Sequence, residues 1–264
     1  MMLQSSLRKN LHLDGTKMEA SLRSSTNFND RSDYSVALMY LGRSKEAVEL
    51  LRQLEKEIPG EYFVAANLGT AYELSGNNEE ALRWINEGIR RNPASHGGTE
   101  WLHAKILEAK IAQQKDADYF KKHSVLELHP EAIGPEIAVG DRKLSAKELK
   151  EAIQHQLEER LQFVKPPDAP IAGLLFDYAA IEAATRTLES AKRLLNMATE
   201  YGYPADKVKP LIKTYDERIA WRKVKQYTRN TIIGVVVVTL LVFLLRSLHK
   251  RGIFVLSRKD LKRA

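Results

Sequence analysis

Seven histidines are the first residues to weigh for chemistry, because imidazole ligates borderline metals and exchanges protons near neutral pH. His96 and His103 stand seven residues apart, and His123 and His129 six. Neither spacing is the i, i+4 step that puts two ligands on one helical face, and no acidic motif joins either pair. They read as surface or packed imidazoles. Glu158-Glu159 and Asp216-Glu217 are adjacent carboxylates, which point in different directions on a helix and so read as solvated. Gly97-Gly98 lacks the lysine and the strand context of a phosphate loop, and no serine or lysine stands in a nucleophile setting. With no cysteine in the chain, thiolate chemistry and disulfides are excluded. The expectation is a protein that is no enzyme, with no catalytic residue, no cofactor and no metal.

What the sequence does specify is a way of holding helices. Asp33 to Pro59 reads DYSVALMYLGRSKEAVELLRQLEKEIP, and Asn67 to Pro93 reads NLGTAYELSGNNEEALRWINEGIRRNP. Gly42 answers Gly76, Ala47 answers Ala81 and Pro59 answers Pro93, each 34 residues on. Together with Leu68-Gly69 and Tyr72, this period resembles the tetratricopeptide repeat (TPR), a helix-turn-helix unit. The helices are expected at about 30–41, 44–57, 61–75 and 78–91. Gly42 and Gly76 serve the turns, Pro59 and Pro93 stop the second helices, and small Gly69 and Ala81 let paired helices cross closely. Leu50, Leu51 and Leu54, then Trp84, Ile85 and Ile89, recur at helical spacing and are expected in the core.

Beyond Pro93 the register slips into a degenerate third copy, with helices expected from Glu100 to about Gln114 and from about Ala117 to Leu128, before Pro130. Residues 129–143 are turn-rich. Ser145 and Glu148 form a capping box that opens a helix running through Leu161 to the PPDAP joint, Pro166 to Pro170. Ile171 to Ala184 and Leu188 to Tyr201 make a fourth repeat-like pair. From Asp33 to Tyr203 the chain also resembles a group of bacterial TPR proteins without assigned activity, which share the SHGGTEWLHAKILEAK-type and QLEERLQFVKPPDAP-type segments.

Of 41 Lys+Arg and 34 Asp+Glu, the last 36 residues hold 8 and 1, so residues 1–228 balance at 33 of each. The basic character describes a tail rather than a nucleic-acid-binding body. Thr231 to Leu245 (TIIGVVVVTLLVFLL) carries no charge and is apolar all round, flanked by Arg229 and Arg246. It reads as a transmembrane helix, against the alternative of a buried core helix. Six basic residues at 211–230 face seven after it, so the charges leave the side of the repeats open. Ile253 to Leu256 is expected at the headgroups.

The expected organisation is an all-α, TPR-like helical-hairpin solenoid followed by a single C-terminal transmembrane helix. Residues 1–27 are a poorly ordered lead-in with at most one weak helix. The repeats occupy 28–130, further helices 131–203, a basic juxtamembrane helix 204–230, the membrane span 231–248 and a basic tail 249–264. The resemblance implies that the first helix of each pair lines a concave groove for a protein or peptide, presenting Phe63, Asn67, Thr70 and Glu73, continued by Trp101 and Lys105. Only Asn67 is placed for the lysine-and-asparagine clamp that grips a chaperone's C-terminal carboxylate, and the clamp lysine is missing. The leading expectation is a membrane-anchored, non-catalytic scaffold for protein–protein interaction. Its alternative is a structural subunit of an envelope or membrane assembly that self-associates.

Overall fold

Glycine and proline punctuate the first half of the chain, and the helices fall between them. The structure is a computed structural model that describes residues 15–128, 130 and 133–251. Helix α1 covers residues 15–22, followed by α2 (Phe28–Tyr40), α3 (Ser44–Glu57), α4 (Tyr62–Leu74) and α5 (Asn78–Arg91). A 3-10 turn (Ser95–Gly98) leads into α6 (Glu100–Lys115) and the single turn α7 (Tyr119–Lys122). Strands β1 (Ile137–Val139) and β2 (Arg142–Leu144) pair antiparallel, with Ala138 opposite Lys143. Helices α8 (Ala146–Phe163), α9 (Ala169–Thr185), α10 (Leu188–Glu200) and α11 (Ala205–Lys250) complete the chain. Apart from that one hairpin, the described chain is all-α.

Local chemistry accounts for the boundaries. The Asn27 side chain accepts from the amides of Asn29 and Asp30, and that of Asn77 from Glu80, so both helices start on asparagine caps. In α5 the first turn carries Glu79 and Glu80 and the last Arg90 and Arg91, opposing the helix dipole at each end. Gly42 (φ +76) and Gly76 (φ +88) hold the left-handed turns, which would cost a residue with a Cβ about 1 kcal/mol. α4 lies against α5 at Gly69, where a Cβ would come 2.4 Å from Ile85 Cδ1 and 3.2 Å from the Ile85 amide nitrogen. The four expected helices of the two good copies are all present, with ends within two residues. Their core joins Leu38, Ala47, Leu51, Leu54, Val64 and Leu68 from α2, α3 and α4.

The third copy departs from expectation. Its second helix, expected to reach Leu128, stops at Lys122, and the chain continues without helix. The cause is Asp177, fully buried on α9. Its carboxylate accepts from Ser124 Oγ (2.7 Å) and from the backbone amides of Leu126 (2.8 Å) and Leu128 (3.0 Å). A helix would have committed those amides to its own ladder and left the carboxylate without donors. Gly173, one turn before Asp177, admits this non-helical segment: a Cβ there would lie 3.3 Å from the Val125 nitrogen.

The later helices follow the reading. Ser145 Oγ accepts from the Glu148 amide and Glu148 Oε2 from the Ser145 amide, completing the capping box of α8. α9 and α10 form the fourth pair, and Thr187 Oγ1 caps α10 by accepting from the Ser190 amide. In the described part of the lead-in, α1 is the one helix that the sequence allowed for, and its Glu19 pairs with Arg43 at 2.5 Å.

The chain divides at Ile212 into two units, Met1–Ile212 and Lys213–Ala264. In the second, the uncharged stretch of α11 from Thr231 to Leu245 spans roughly 22 Å at ~1.5 Å per residue. Its side chains are exposed, Phe243 by 75%, where a core helix would bury them. Among the described residues α11 is the one helix long and apolar enough to cross a membrane. Residues 1–14, His129, Ile253–Leu256 and most of the basic tail lie outside the described residues.

Candidate functional site

The candidate site forms where α8 crosses the first helices of the hairpins. It meets α2 through Phe163, whose ring stacks on Tyr40 (centroids 5.0 Å apart, planes at 12°). It meets α4 through Arg160, which grips Glu73 with both terminal nitrogens (2.5 and 3.2 Å). On α9, Gln154 Nε2 donates to the Tyr178 hydroxyl (2.7 Å) and Lys150 Nζ to Glu182 (2.5 Å). α8 therefore lies over part of the face expected to line the concave groove.

Glu73 is the centre of this closure. Beyond Arg160, it accepts from Lys110 Nζ (2.9 Å) and from His103 Nε2 (2.7 Å). The other ring nitrogen of His103 lies 3.6 Å from Glu100 Oε2, so both nitrogens face carboxylates, which favours the protonated ring. Glu100 also pairs with His96 Nδ1. The His96 ring sits 4.9 Å from that of His155, and His155 Nε2 is 3.3 Å from Glu159 Oε1. Charges of alternating sign thus run from Arg160 to His96.

The electrostatics follow from this packing. Burial alone would push the Glu73 carboxyl up, but Arg160, His103 and Lys110 outweigh it and hold the group well below its ordinary value. Burial opposes protonation of His103, and Glu100 and Glu73 overcome it, raising the imidazole. Glu100, also buried, is held below the carboxylate range by His103 and His96, and Glu100 in turn raises His96.

Of the expected groove residues, Asn67, Thr70 and Glu73 converge on a cavity of about 280 Å³, together with Tyr40, Gln156 and Phe163. The other three do not join them. Phe63 packs edge to face on Phe28 (5.9 Å) within the α2–α4 core. Trp101 is only 8% exposed, with the Arg142 guanidinium of β2 over its ring at 5.5 Å. Lys105 pairs with Glu108 (2.7 Å). Glu73 also departs from expectation, because three cations draw it out of solvent.

Sequence reasoning missed Lys110, Gln156, Arg160, Glu100 and His155. A signal existed in the i, i+4 step itself, searched between histidines only. His96, His123 and His155 are each followed four residues on by a glutamate, and all three pairs form. Glu159, 41% exposed as a solvated carboxylate should be, also lines the cavity beside His155. His96, Glu100 and His155 each place a ligand-type atom within 4.8 Å of the others. Two shielded donors on one face of α8, Gln156 Nε2 and Arg160 Nε, have no hydrogen-bond partner. The cluster can bind acceptors and hold protons. No protein-family model matches the chain, and no curated protein sequence is similar to it.

Proposed function

We propose that the chain is a tetratricopeptide-like scaffold, anchored as a single-pass protein by Thr231 to Leu245, that holds a protein or peptide partner without catalysis. The anchor reading is supported by an exposed, uncharged helical stretch that water would disfavour. The scaffold reading is supported by two helix pairs that repeat at 34 residues with positive-φ glycines at equivalent turns. The observation that carries partner binding is the cavity at the α2–α4 end of the row. It is lined by Asn67 and Thr70 and by two residues of α8, Gln156 and Arg160, with donors that lack acceptors. The polar side chains of Asn67 and Thr70 at the cavity wall fit the backbone groups of an extended peptide.

The test uses the full-length chain in its own membrane, with a photo-crosslinking residue in place of Thr70 or, as comparison, of exposed Arg83 on α5. A discrete adduct at position 70 alone, retained in the membrane fraction after alkaline carbonate extraction, is the expected result. Identical products at both positions, or release of the chain by carbonate, contradicts the reading.

A further inference from the structure

We propose that His96, Glu100 and His155 form a binding site for a borderline divalent metal ion of the zinc class. Two imidazoles and one carboxylate are the donor set such ions take when no thiolate is offered, and this chain has no cysteine. The three ligand-type atoms lie within 4.8 Å of one another, against about 3.3 Å between ligands of a tetrahedral zinc. Small side-chain rotations close that difference. The two rings are 4.9 Å apart and tilted at 51°, so both edges can turn to one point.

Three further observations favour an ion over a chance cluster. His155 Nε2 is shielded from solvent and makes no hydrogen bond, although Glu159 Oε1 stands 3.3 Å away. His96 is held at φ 49°, ψ 38°, followed by Gly97 and Gly98 at positive φ, and this left-handed turn sets its ring beside Glu100. Glu100 has outer support of the kind that orients metal ligands, since its second oxygen faces His103, which is fixed in turn by Glu73. The His96 and His155 side chains remain 39% and 30% exposed, so an ion can enter and water can complete its coordination. The metal takes the place of a proton on His96, which leaves to solvent. It joins the turn before α6 to the middle of α8, clipping α8 across the row.

The full-length chain in detergent, stripped with chelator, is titrated with Zn²⁺ by calorimetry and with Co²⁺ by visible absorption. One ion per chain is expected, with a Kd of about 1 µM or tighter. A Co²⁺ spectrum of low coordination number is expected with it. His155→Gln should weaken binding about 100-fold. His123→Gln, at the exposed His123–Glu127 pair, should leave it unchanged. Zn²⁺ binding weaker than about 100 µM to the unaltered chain overturns the proposal. So does an unchanged affinity in His155→Gln whose circular dichroism melt matches the parent.

Discussion

Glu73→Ala is expected to lower the unfolding free energy of the full-length chain by about 3–5 kcal/mol, because it leaves buried cations without their shared counter-ion. At roughly 2–4 °C per kcal/mol for a chain of this size, the melting temperature should fall by about 10 °C. Arg160, Lys110 and His103 all end on this one carboxylate, and its side chain is 6% exposed. Removing it strands three donors in the same low-dielectric space. Arg160→Met in the Glu73→Ala background should recover part of the loss by removing the largest stranded cation. A double-mutant cycle in detergent, followed by circular dichroism, measures that recovery.

The pH dependence of the same cluster has a defined sign. The folded-state pKa of Glu73 is depressed, so its contribution is present above the ordinary value of 4.5 and is lost as pH falls through the folded value. The folded-state pKa of His103 is raised, so its contribution is full below 6.5 and is lost as pH rises through the folded value. Glu73→Ala should therefore shrink the acid limb of the stability profile, leaving the part that Glu100 contributes, and weaken the basic one.

Asp177→Ala is expected to cost about 3 kcal/mol, roughly 1 kcal/mol for each donor left without an acceptor. The Ser124 hydroxyl and the Leu126 and Leu128 amides all end on this carboxylate. Burial pushes the group up to about 7 from 3.8, against the pull of those three hydrogen bonds. A raised acid favours the folded state while protonated. Its contribution is full below pH 3.8, is lost as pH rises through about 7, and amounts to roughly 4 kcal/mol at 1.36 kcal/mol per unit. Asp177→Asn, which keeps an oxygen acceptor but cannot ionise, should remove the loss of stability that the parent shows between about pH 4 and 7 from this group. Thermal melts across that range, compared with the parent, check it.

These two carboxylates mark where the sequence stopped being informative. α5 was legible to the residue, Asn78 to Arg91, since Asn77, Gly76 and Pro93 are signals carried within a few residues of its ends. The same holds for α8, whose Ser145–Glu148 box is local. The segment from Lys122 to Leu128 reads as helix, and what unwinds it is an aspartate 49 to 53 residues away. Likewise, the amphipathic pattern of α8 requires burial but does not say against what. Arg160 meets Glu73 across 87 residues, and that pairing brings α8 over part of the expected groove. Of the expected groove residues, Asn67 and Thr70 kept their place beside the cavity because they lie on the α4 face that α8 covers only in part. Trp101 was lost to the groove because Arg142 of the β-hairpin lies over its ring.

α8 lies across the first helices of the hairpins and closes on α2. The chain has no cysteine, so an introduced pair reports without background. Tyr40 and Phe163 stack at 5.0 Å where α8 ends against α2. In native membranes, the full-length chain with Tyr40→Cys and Phe163→Cys should form a fast intramolecular link with a short bis-maleimide, and Tyr40→Cys paired with Arg83→Cys should not. Failure of the first pair to link while both thiols react with a monofunctional maleimide would contradict the account.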